Sequence, residues 1–186
     1  MTAVAWVAGT PLDVAVVDAR LAAMRRGPYA ARLPDPASAE GRNLRRWLVQ
    51  VLVVEAVVAH EAHALGLSGA EGDPPRQVTL AEALRSGGVT AAVVAAHPLA
   101  RSLRAVVAPP VPATEADTAA YYDRNRDLFP LDFAVVRDAL AARLGAEDAE
   151  RRFARWLDER CAALVRLAPG YEHPGDPRHP DAVHRH

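Results

Sequence analysis

The segment from Ser38 to Gly66 places the strongest constraint on this fold. Leu44, Trp47, Leu48, Val51, Glu55, Val58, Ala62 and Leu65 recur every three or four residues, near one stripe of a helix. Ser38 is suited to cap its start and Gly66 to end it. A helix of that length runs about 40 Å, and its apolar stripe must be covered by other parts of the chain. The candidates for that cover are also helical. Val14, Val17, Leu21 and Met24 follow the opening Thr10-Pro11-Leu12-Asp13, in which Thr10 is the expected cap, and Gly27-Pro28 closes the element. Thr79 to Glu82 reads as a capping box, and two short helices, Ala91 to Ala96 and Leu99 to Val107, are split at His97-Pro98. Thr114 caps a helix carrying Tyr121 and Tyr122, which Pro130 breaks. Leu131 to Leu144, stopped by Gly145, and Ala146 to Leu164 complete the set.

The spacing therefore predicts a mainly α chain with at most a small two-stranded ribbon. Ala3–Ala8 is the one clear strand, and Ala163–Ala168 is its expected partner. Residues 1–169 read as a single helical domain and 170–186 as a Pro/His-rich coil tail. Trp47 and Trp156 lie on the two strongest stripes and are expected in the core with Leu48, Val51, Leu140 and Phe153. Hydrophobic residues make up 51% of the chain but aromatics only 5%, a balance that suits closely packed helices.

Composition excludes several chemistries. All 22 basic residues are arginine, so no lysine is present to form a Schiff base or reach the phosphates in a P-loop. A single cysteine, Cys161, excludes an internal disulfide and a multi-thiolate zinc site. A net charge of -1 leaves no electrostatic footprint for nucleic acid or an anionic membrane. The N-terminus lacks the pattern of a secretory signal and no stretch reads as a membrane span, so a cytoplasmic location is expected.

Candidate functional groups are few. His97, at a helix junction, is suited to act as a general base near neutral pH. Tyr121 and Tyr122 point about 100° apart, so one can pack inward while the other offers its hydroxyl to a groove. His60 and His63 flank Glu61 but lack the four-residue spacing of a zinc-protease helix. The tail holds four of the seven histidines. His184 and His186 are its metal candidates, and Tyr171 is the aromatic expected to anchor it to the body. Two basic clusters, Arg42-Arg45-Arg46 and Arg151-Arg152-Arg155, read as solvated faces paired with nearby acids.

The order of elements carries a resemblance. "VAWVAGTPLDVAVVDARL", "LRRWLVQVLVVEAVVAHEAHALGL" and "SLRAVVAPPVPATEADTAAYYDRNRDLF" together resemble the helical N-terminal region of bacterial foldases of the SurA and PrsA type. That likeness implies a chaperone-like module with an apolar groove. Trp47, Tyr121, Tyr122 and Tyr171 would contact an apolar peptide, partner or ligand there. Too few residues follow Phe129 in this chain for the parvulin isomerase domain of that family, so isomerase activity is not implied. Ala8 stands where the family commonly has Asn before Gly9.

The chain also resembles small stand-alone proteins of aromatic polyketide pathways labelled malonyl-CoA:acyl-carrier-protein transacylases. That label requires a Gly-x-Ser-x-Gly elbow between strand and helix. Gly66-Leu67-Ser68-Gly69-Ala70 follows a helix and lacks the last glycine. The second resemblance instead implies a tailoring enzyme or accessory factor acting on a polycyclic intermediate. His97, Tyr121 and Tyr122 would be its catalytic groups, with an acyl carrier or another tailoring enzyme as partner. Neither likeness fixes a cofactor, which stays unknown at this point.

Overall fold

The computed structural model describes residues 2–28, 30–67, 88–173 and 176. The fold is mainly α: among the described residues, six α-helices accompany one three-stranded antiparallel sheet. Strand β1 (Ala3–Val7) and strand β2 (Thr10–Asp13) lead into helix α1 (Val14–Arg26). Helix α2 is Ala39–Ala64, α3 is Val89–Ala96, α4 is Pro98–Val107 and α5 is Glu115–Arg124. The long helix α6 (Phe133–Leu164) passes directly into strand β3 (Val165–Leu167). The Thr79–Glu82 capping box lies outside the described residues.

The sheet corrects the expected ribbon. Its order is β2-β1-β3, so β1 has the expected partner and a second one. Ala5 pairs with Leu167, Trp6 with Arg166 and Val7 with Val165. On the other side, Trp6 pairs with Pro11 and Val7 with Thr10. Thr10–Asp13 is thus a strand rather than a helix opening. The two-residue loop Ala8-Gly9 has φ of 48° and 81°, the double left-handed turn whose twist matches a hairpin. Pro11 is tolerated because β2 is an edge strand. The cap moves to Asp13, whose carboxylate accepts the Ala15 N–H at 2.8 Å. Alanine is strained at positive φ. Ala8→Asn is therefore expected to raise stability by about 0.5–1 kcal/mol in a denaturant titration; a decrease would contradict the turn assignment.

Helix α2 is the centre of the fold. Ser38 caps it through Oγ, which accepts the Gly41 N–H at 3.0 Å. At its end Leu67 N–H donates to the Ala62 carbonyl and Gly66 N–H to that of His63, a Schellman closure. By length and composition α2 is able to cross a membrane, at a mean hydropathy of 1.2, although the sequence pattern predicts no such stretch. In the fold, 61% of that apolar window is buried, because α1, α3, α4, α6 and β1 all pack on it. Trp47, Leu48, Val51 and Phe153 are buried in this core, and Leu157 is buried beside them. Trp156, expected to be buried, is only half-buried; its ring stacks on Phe153 at 5.7 Å.

Gly145 does not stop a helix. Helix α6 runs through it unbroken for 32 residues. Its lack of a side chain serves packing instead, since a Cβ there would lie 2.0 Å from the Val111 carbonyl oxygen. The extended segment around Pro109–Pro112 crosses α6 at this point. The Ala113 N–H donating to the Ala141 carbonyl and Arg152 donating to that of Pro109 hold it down. Gly41, under the Asp35-Pro36 backbone, has the same role at the start of α2.

Candidate functional site

A cleft of about 480 Å³ opens where α2, the start of α3, the end of α6 and β3 meet. Val53 and Val54 line it from α2, Val89 from α3, and Val165 and Leu167 from β3. The strand alternation that turns Val165 and Leu167 to this side sends Arg166 to the other face, where its guanidinium sits 3.9 Å over the Trp6 ring. Gln50, Thr90, Asp158, Cys161 and His173 are the groups with polar or titratable atoms at its wall.

The thiol among these groups is not primed for nucleophilic attack. Burial, followed by the charge of Asp158, pushes the Cys161 thiol up to about 11. A thiol in that state is a poor nucleophile, because the thiolate is the reacting form. At pH 8 only about one thiol in a thousand is ionised. Cys161 is therefore expected to react with iodoacetamide far more slowly than an unfolded control, and denaturant should restore the rate. Equally fast reaction in the folded protein would contradict the environment described. Asp158 instead accepts from the Thr90 hydroxyl at 3.4 Å, linking α6 to α3 across the cleft.

The start of the tail borders the same cleft. Ala168 and Tyr171 close a turn through Gly170, whose φ is 88°. The half-buried Tyr171 then packs against the core and interacts with Arg45. Gln50 donates to its carbonyl at 3.2 Å. His173 reaches the cleft wall, whereas His179, His184 and His186 lie outside the described residues.

The other expected site residues are dispersed. Trp47 is 8% exposed and belongs to the core rather than to a groove. Tyr122 is buried; its hydroxyl donates to the Leu131 carbonyl at 2.9 Å and its ring packs on Phe129 and Phe133. Tyr121 meets Phe129 edge-on and lies under the Arg143 guanidinium. Asn125 ends this helix by donating to the Tyr121 carbonyl. This aromatic cluster belongs to α5 and the first part of α6, outside the main core.

His97 sits elsewhere, between α3 and α4. Burial lowers its pKa below the ordinary imidazole value, opposed by the charge of Glu55. Its Nδ1 is buried without a hydrogen-bond partner. Glu55 is itself held by Arg20 at 3.0 Å. Among the described residues, no ring contact or hydrogen bond joins His97 to either tyrosine. His60 and His63 are exposed, while Glu61 between them is buried and accepts from Arg160 at 2.7 and 2.8 Å. Among the described residues, no three His, Cys, Asp or Glu side chains gather as a metal site would need. The Gly66–Ala70 match leaves the described residues at Ser68.

One basic cluster departs from expectation. Arg45 pairs with Asp18 at 2.7 Å, and Arg151 and Arg152 pair with Asp148. Arg46, however, is 2% exposed and has no acidic partner among the described residues. Reading all three arginines as one solvated face overlooked that Arg46 falls on the buried side of α2.

Sequence reasoning expected an apolar groove but placed none of this cleft's lining residues in it. One signal was available: Gln50 is the single polar residue within Trp47–Val54. A lone amide in an apolar stripe marks either a buried hydrogen bond or a cleft edge, and here it is both.

A family of unknown function (DUF7158) matches residues 3–40, which span the hairpin, α1 and the connection into α2. No curated protein and no solved structure matches the chain.

Proposed function

We propose that this protein is a binding protein of the foldase-chaperone kind, which holds an apolar peptide segment or small molecule in the cleft between α2, α3, α6 and β3 without transforming it. One observation carries the reading: the cleft has largely apolar walls, and burial holds its thiol, Cys161, in the protonated form. Its volume of about 480 Å³ is in the range of small-ligand sites. The edge position of β3 adds support, because Val165 and Leu167 place an apolar ledge beside a sheet border, where an extended segment can lie. The tailoring-enzyme alternative would need His97, Tyr121 and Tyr122 in one pocket. The first lies between α3 and α4, while the tyrosines pack at the start of α6.

The test is a titration with the apolar fluorophore N-phenyl-1-naphthylamine. Saturable binding is expected in the wild type, weakened by at least about tenfold, or 1.4 kcal/mol, in Ala162→Trp, which fills the cleft from an exposed position. Absent binding in the wild type, or unaltered binding in the variant at an unchanged melting temperature, would reject the reading.

A further inference from the structure

A guanidinium is charged at every pH a protein survives, and buried charges in folded proteins are paired. Arg46 breaks that rule. It is 2% exposed, yet its Nε and Nη1 have no hydrogen-bond partner. Among the described residues its one hydrogen bond runs from Nη2 to the side-chain oxygen of Asn43, a neutral acceptor one turn back on the same helix. Other arginines of this chain do find acids: Arg20 meets Glu55, Arg45 meets Asp18 and Arg160 meets Glu61. Those three are all more exposed than Arg46, so the least hydrated of the four is the one without a counter-charge among the described residues.

Its position connects it to the cleft. Gln50 lies four residues after Arg46 and Val53 seven, so the three share one face of α2. Gln50, Val53 and Val54 are the cleft's contribution from that helix. Arg46 therefore stands one turn beyond the Gln50 end of the cleft floor. From Arg46 to Val54 the helix rises about 12 Å.

We propose that Arg46 and the Gln50 end of the cleft form an anion subsite, and that the ligand is an apolar monocarboxylate with its carboxylate on Arg46 and its body along Val53 and Val54. This rests on the cleft being the binding site. One negative charge matches one guanidinium. A phosphate dianion would bring a second, uncompensated charge toward a site whose far wall already carries Asp158. Two carboxylate oxygens suffice for the two nitrogens that lack partners. A fatty acid and the free C-terminus of an apolar peptide share this chemistry.

Calorimetric titration with matched probes separates the possibilities. Decanoate is compared with decanol, and the peptide Ala-Val-Val-Ala with a free C-terminus is compared with its C-terminal amide. The wild type is expected to prefer the acid of at least one pair by tenfold or more, and the preferred pair identifies the source. Arg46→Met should abolish that preference, while the exposed control Arg155→Met should retain it. Arg46→Met should also melt at a higher temperature, since it removes an unpaired buried charge. If Arg46→Met does not fold, Arg46→Gln serves for the same comparison. Equal binding of acid and neutral partner by the wild type overturns the anion subsite and leaves the cleft reading intact. A preference that survives loss of the guanidinium also overturns it. If no probe binds, the cleft reading falls and the subsite with it.

Discussion

Trp47→Ala is expected to destabilise the protein by about 3–5 kcal/mol in chemical denaturation, the usual loss for a large aromatic removed from a core. Trp47 is 8% exposed and lies in the buried cluster with Leu44, Leu48 and Val51. Aromatics are only 5% of this chain, so few other side chains are large enough to fill the space it leaves. Valine is the commonest residue in that cluster, and its branched side chain has few alternative rotamers with which to collapse into a cavity. A loss below about 1 kcal/mol would mean that this face of α2 is not core.

Gly145→Ala is expected to cost about 1–3 kcal/mol, opposite in sign to the ordinary effect of the same change inside a helix. Replacing a mid-helix glycine with alanine normally gains up to about 1 kcal/mol from propensity alone. Here the new Cβ would stand 2.0 Å from the Val111 carbonyl oxygen and 3.0 Å from the Pro112 Cα. Both are backbone atoms, tethered by the Ala113–Ala141 and Arg152–Pro109 hydrogen bonds, so the strap cannot move aside without breaking them. The clash outweighs the propensity gain. A stability gain in the variant would show that the strap does not rest on α6.

These two sites also show what the sequence could and could not convey. Trp47 was legible because helical periodicity marks a buried face directly, and Ser38, Thr114 and Gly66 were legible because capping is local chemistry. Gly145 was misread because glycine in a polar stretch looks like a stop. Its actual role depends on Val111, which is distant in sequence. Thr10–Asp13 was misread for a related reason. Thr-Pro-x-Asp has the composition of a helix opening, but the left-handed turn at Ala8-Gly9 and pairing with β1 decide its conformation first. For the cleft, Gln50 alone gave a local signal. Val53, Val165 and His173 converge only once α2, β3 and the tail have been brought together. Arg46 was hidden by its neighbours, since Arg42 and Arg45 made the cluster look solvated although adjacent positions on a helix point in different directions.

The most direct test of the account is to map where an apolar ligand binds. Backbone amide shifts followed by NMR during titration with N-phenyl-1-naphthylamine are predicted to move at Gln50–Val54, Val89–Thr90, Asp158–Ala162 and Val165–Leu167, the elements that wall the cleft. Shifts centred instead on Tyr121, Tyr122, Phe129 and Phe133, or on His97, would contradict it, because binding would then occur at a site that the cleft does not reach.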